Sequence, residues 1–232
     1  NSILLTEGDH TTLPLFVLQD ALHIRQDVSV ANLDMLIDPD YLHRFLEQHR
    51  LQFTQANSRD KQSIGMALRS ENKGVQFYYA LTVDRNHMPS FQDRLYVTGL
   101  ASQFSTERFD NLKALRENIE NRFLIDYLTV DFNGEEQSAA GKVLSANYLV
   151  PFLLLDEHYL NTQDAEKSEK LEQLITHIAR QTNRLTQVHN FLRRDRVEQI
   201  PYFPANLDLK ELEGRFRLVR DDVYLGVAGA CA

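Results

Sequence analysis

Val75-Gln-Phe77-Tyr-Tyr79-Ala-Leu81-Thr-Val83 is the stretch on which the fold reading turns. Its odd-numbered positions are apolar and alternate with Gln76, Tyr78, Ala80 and Thr82. A period of two places successive side chains on opposite faces, so the spacing predicts a strand with one buried face. Working outward, residues 64–70 alternate more weakly. They join the strand through Asn72-Lys73-Gly74, residue types that tolerate a positive φ. Residues 94–100 supply a third apolar run after a loop containing Pro89. The expectation is an antiparallel meander over residues 64–100.

Helical patterns surround it. Asp38 is a plausible N-cap with Pro39 at the first helical position, and Leu42, Phe45, Leu46 and Phe53 share a face of a helix ending near Asn57-Ser58. Ser105 or Thr106 is expected to cap a second helix carrying Phe109, Leu112, Leu115, Ile119 and Phe123. Ile3-Leu4-Leu5 and residues 13–18 read as strands or edge segments, because Pro14 cannot donate to a ladder. Leu128, Val130 and Phe132 read as a strand ending at Asn133-Gly134. Residues 143–160 are apolar but ambiguous around Pro151. Residues 207–212 suggest a short helix, and the runs flanking Asp221-Asp222 suggest a terminal hairpin. This order argues for an α+β fold. A boundary near 134–142 would separate a mixed sheet-and-helix part, residues 1–134, from a helix-rich part, residues 135–232, with a single domain as the alternative.

The longest helix is expected over residues 162–196. Leu171, Ile178, Leu185 and Leu192 fall seven apart and, with Leu174 and Val188, form an apolar seam suited to packing against other helices. Carboxylates crowd its start, and Arg180, Arg184, Arg193, Arg194 and Arg196 its end. That gradient complements the helix dipole. The same arginines are the candidate binding residues for a carboxylate, a phosphate or an acidic partner. Within this region, residues 178–192 resemble the second helix of the dimerisation hairpin of sensor histidine kinases, and residues 145–152 its first helix. The likeness implies helix-on-helix packing. It departs from that family in having Asn147 about where the phosphoacceptor histidine would stand.

Composition narrows the function classes. A net charge of −8 over 232 residues argues against nonspecific binding to nucleic acid. No run of 18 apolar residues exists, so no membrane span is expected. One cysteine, Cys231, precludes an internal disulfide or a multi-cysteine zinc site. The first residue is Asn1 rather than Met, as in a processed or excised form; the expected location is cytoplasmic, with periplasmic left open. Gly134 and Gly141 have the wrong spacing for a phosphate-binding loop.

The remaining constellations are incomplete. His43 and Glu47 share a helix face, but His49 points elsewhere, so no metal and no cofactor is expected. Asp156-Glu157-His158 concentrates acid–base groups, although sequence neighbours usually diverge in space. Asp126, Asp131 and Glu135 read as solvated turn carboxylates; Asp208-Leu209-Lys210 carries the letters of a nuclease signature but looks helical. The leading expectation is a noncatalytic interaction or regulatory protein, using helix 162–196 to bind a protein partner or to dimerise. The alternatives are a small hydrolase or transferase acting on an anionic substrate, with acid–base groups from residues 156–158, and a ligand-sensing domain with a cupped sheet.

Overall fold

A computed structural model describes residues 2–54, 60–88, 94–129 and 138–192. Its five strands are β1 (Ser2–Thr6), β2 (Val28–Asn32), β3 (Gln76–Ala80), β4 (Leu95–Val97) and β5 (Ala101–Phe104). Its α-helices are α1 (Asp9–Asp20), α2 (Pro39–His49), α3 (Lys61–Glu71), α4 (Asn111–Asn121), α5 (Ala139–Ala146), α6 (Leu149–Asn161), α7 (Ala165–Gln181) and α8 (Leu185–Leu192). The fold is α+β, but the sheet is mixed, in the order β2-β1-β3-β5-β4. β1 runs parallel to both neighbours, with Leu5 opposite Ala31 and Tyr79, and only the β3–β5 pair described is antiparallel. The expected antiparallel meander is therefore wrong. Parallel neighbours require crossover connections, and the segments that supply them are helices.

Two of those helices stand where the spacing predicts strands. Residues 64–70 belong to α3, where Ile64, Gly65, Ala67 and Leu68 are buried at helical spacing and the Asp60 side chain accepts the Ser63 N–H at 2.9 Å. Residues 13–18 belong to α1 despite Pro14, which sits inside the helix. Among α1's residues only Thr12 is buried, and Leu13 and Val17 are more than half exposed, so no inward apolar stripe announces the helix. The helix from Asp38 is found with the expected cap, the Asp38 carboxylate taking the Asp40 and Tyr41 N–H groups. It stops at His49, where Arg50 adopts φ 55°, rather than near Asn57.

The described residues fall into two units. The first takes those of Asn1–Gln92 with Ala101–Phe104. Its core includes Ile3, Leu5, Leu33, Leu36, Ile64, Leu68, Phe77 and Tyr79, all nearly inaccessible. The second takes those of Asp93–Leu100 and from Ser105 onward. There α6 packs against α7 and α4, and α7 against α5 and α8. α6 is buried almost all round, from Leu149 to Tyr159. Pro151 does not break it, because it lies in the first turn, where N–H groups have no helical acceptor. α4 is capped by Asp110 rather than Ser105 or Thr106, and buries Leu112, Leu115 and Ile119. Asp126–Thr129 forms a 3-10 turn that takes in Leu128, the first residue of an expected strand whose Val130 and Phe132 lie outside the described residues. Residues 130–137, which include part of the expected boundary, lie outside the described residues, as do 207–212 and the hairpin near 221.

The continuous helix over 162–196 is not found. α7 ends at Gln181, where Asn183 adopts φ 60° and the Arg184 N–H turns back to the Ala179 carbonyl at 2.7 Å. Thr182 adds a hydroxyl bond to the Ile178 carbonyl at 2.8 Å. Asparagine tolerates the left-handed conformation that ends helices, so Thr182-Asn183 interrupts the seven-residue spacing. The seam residues Leu171, Leu174, Ile178 and Val188 are buried.

Candidate functional site

Where a parallel strand hands the chain to one side and its neighbour to the other, the carboxyl ends of the two strands open a crevice that loops can line. β1 leads through α1 to β2 on one side; β3, on its other side, leads away toward β5. The crevice therefore lies between β1 and β3, and Glu7, the residue after β1, projects there.

Glu7 gathers the start of α3 and the loop after β3. Lys61, the first residue of α3, donates to its Oε1 at 2.5 Å. The Asp84 N–H, in the loop after β3, donates to Oε2 at 2.8 Å, and His87 Nδ1 lies 3.1 Å from the same oxygen. Lys61 also pairs with Asp34, in the loop after β2, and the other Asp34 oxygen accepts the Gly8 N–H at 2.9 Å. One ammonium thus bridges two carboxylates. Burial pushes both carboxyls up, but the Lys61 hydrogen bonds and the backbone N–H groups of Asp84 and Gly8 outweigh it and hold both below the usual carboxylate range. Lys61 is desolvated, which lowers its pKa, yet its two carboxylate partners leave it raised. It is a fixed cation and not a base.

The layer beneath holds this turn in place. Thr6, Thr12 and Asn32 are fully or almost fully buried. The Thr12 hydroxyl sits 2.8 Å from that of Thr6, accepts from Asn32 Nδ2 at 2.8 Å and donates to the Gly8 carbonyl at 2.9 Å. Asn32 Oδ1 in turn accepts the Asp34 N–H at 2.7 Å. Buried polar groups satisfied this completely fix geometry rather than cost stability. Beside them the Thr11 hydroxyl donates to that of Thr82 at 2.9 Å.

A carboxylate only accepts, so His87 Nδ1 carries the proton of the 3.1 Å bond when the ring is neutral. Its Nε2 has no partner among the described residues. Gly8 stands at φ 77°, ψ 151°, and no side chain among the described residues caps α1, so within them the first N–H groups of that helix are open as well. The arrangement can hold and move a proton at His87 Nε2 while Glu7 sets the tautomer.

No family model matches the chain, and no curated protein or solved structure matches it either.

The residues singled out from the sequence lie elsewhere. Arg180 is exposed on the last turn of α7, and Arg184, half-buried, precedes α8, so the two flank the helix break. Arg193, Arg194 and Arg196 lie outside the described residues. The Asp156–His158 triplet diverges. Asp156 turns inward to accept the Ser168 hydroxyl at 2.6 Å and Glu157 is buried, whereas His158 faces a cavity. His43 and Glu47 pair at 3.3 Å on an exposed helix face, and His49 bonds Ser29 at 2.8 Å. No group of three or more His, Cys, Asp or Glu suited to a metal occurs among the described residues, and none of their helices is long and apolar enough to cross a membrane. Glu7, Lys61 and His87 drew no notice in the sequence. The available signal was an apolar run, Glu7-Gly8 and then a polar helix start, the pattern of a strand-to-helix turn.

Proposed function

We propose that the protein is an acid–base enzyme of the hydrolase or transferase kind, working at the carboxyl ends of β1 and β3. The observation that carries this reading is the bond between Glu7 and His87 Nδ1 at the switch between those strands, with Nε2 unpartnered among the described residues. In the proposed step His87 takes a proton from water or a substrate hydroxyl as that oxygen attacks an acyl or phosphoryl centre, and returns the proton to the departing oxygen or nitrogen as its bond to that centre breaks. Glu7 positions the ring and offsets the charge of the imidazolium. Lys61 keeps Glu7 ionised, and the uncapped start of α1 offers N–H groups to negative charge developing on the substrate.

The interaction reading draws less support, since the seam meant to carry it is largely consumed inside the second unit. The test begins with a panel of chromogenic esters, amides and phosphoesters. For whichever the wild type turns over, H87A is expected to lower kcat by about 10²–10⁴-fold, the usual worth of a positioned base. Nitrogen-15 spectra should show neutral His87 protonated at Nδ1, and E7Q should loosen that preference. Full activity in H87A, or a ring protonated at Nε2, would overturn the proposal.

A further inference from the structure

The second unit holds a cavity of about 650 Å3, a size that suits a small organic ligand. Arg108, Lys113 and Arg116 line it, together with Phe109, Asp110 and His158. Three cations around one cavity are conspicuous in a chain whose net charge is −8. Against them stands, among the described residues, a single lining carboxylate, Asp110, one of whose oxygens already accepts the Lys113 N–H at 3.0 Å as the cap of α4. With His158 neutral, the wall carries an excess of two positive charges.

These cations are not absorbed by the fold. Neither Arg108 nor Lys113 makes a side-chain ion pair among the described residues. Arg116 reaches Glu120 only at 3.8 Å, and Glu120 is held more closely by Lys167 and by the Tyr159 hydroxyl, each at 2.7 Å. Among the described residues most of the Arg116 donors therefore remain available. The Phe109 ring is steadied by Tyr96, 4.8 Å away between ring centres, and gives the cavity an apolar side.

We infer that this cavity binds a phosphorylated small molecule, its phosphate held by Arg108, Lys113 and Arg116 and its organic part against Phe109. Two guanidinium forks and an ammonium lining one cavity match the several oxygens of a dianionic phosphate better than the two of one carboxylate. His158 stands at the same wall. Burial lowers its pKa and Arg116 lowers it further, against the opposing pull of Asp110 and Glu120, with Lys167 acting with Arg116. At neutral pH it therefore adds no fourth charge to the wall. This site lies outside the Glu7–His87 cluster and does not depend on the activity proposed for it.

The test is calorimetric titration of the full chain with phenyl phosphate, with benzoate as the carboxylate of similar shape, alongside amide chemical shifts. Phenyl phosphate should bind, move the resonances of residues 108–116 and lose affinity as salt is raised. K113E and the pair R108A/K113A should each weaken it about tenfold or more, the usual worth of a charge-assisted hydrogen bond. Both exposed side chains can change without touching the core, and an unaltered Tm checks this. Equal affinity in the double variant, benzoate binding as tightly as phenyl phosphate, or no binding at millimolar concentration would each defeat the inference.

Discussion

Glu7 is reached from residues 54 and 80 positions away in sequence, by Lys61 and His87, and its carboxylate is largely covered. A covered carboxylate costs several kcal/mol unless charge and hydrogen bonds compensate, and Lys61 supplies that compensation twice, to Glu7 and to Asp34. Replacing Lys61 by Met leaves two facing carboxylates with no counter-ion, and is expected to cost about 1–3 kcal/mol at pH 7, between the exposed and the buried limits for an ion pair. The pH dependence follows in sign. Both carboxyls are depressed in the folded state, so their contribution is complete above the unfolded carboxylate pKa values near 4 and is lost as pH falls through the lower folded values. The Lys61 pKa is raised, so its contribution holds below its unfolded value near 10 and is lost as pH rises through the folded one. Urea unfolding of wild type and K61M between pH 2 and 8 should therefore converge at the acid end. A gap that persists at pH 2 would mean Lys61 acts through packing. None of this was legible beforehand, because three residues so far apart are joined only by the parallel pairing of β1 and β3.

The turn from β1 to α1 is the element that aims this cluster, and Gly8 makes it. Its φ of 77° with ψ of 151° belongs to a region essentially closed to residues with a Cβ. A Cβ there would meet nothing within 4 Å, so the cost of G8A lies in the backbone and not in a clash. The expected loss is about 1–3 kcal/mol, with the His87 tautomer disturbed because the Gly8 N–H also anchors Asp34. G74A is the control. Gly74 has no positive φ and equally open surroundings, so denaturation should find it within about 0.5 kcal/mol of wild type. At this scale the sequence was informative where a cap and a buried stripe coincided, as at Asp38 and α2 or in the core face of α4. It misled where the two parted. α1 shows a proline and no buried apolar stripe, the residues of α3 mimic weak alternation, and the seven-residue spacing ran across Thr182-Asn183 without registering a helix stop. Misreading α1 and α3 as strands removed the crossovers, and with them the parallel pairing that creates the crevice.

At the scale of the molecule there are two charged constellations of opposite character, one in each unit. The first is largely closed on itself, with its ammonium and carboxylates paired and, among the described residues, the His87 Nε2 edge and the first N–H groups of α1 left open. The second is unsatisfied, with cations in excess and Asp110 already committed to the helix. Every partner described for Glu7 lies in the first unit, and the charged partners of Arg116 and Lys167 lie in the second. Perturbations that share no partner add with little interaction energy, about 0.5 kcal/mol or less. The dissociation constant for phenyl phosphate should accordingly change by no more than about twofold in K61M or E7Q, while K113E weakens it strongly. Reciprocity demands the converse, that saturating phenyl phosphate leave the His87 nitrogen shifts where they were while it raises the pKa of His158 by placing an anion beside it. Titrating both histidines in one nitrogen-15 experiment, with and without the ligand, reads the two expectations together. A shift at His87 as large as that at His158 would establish a coupling that the hydrogen-bond networks of neither unit account for.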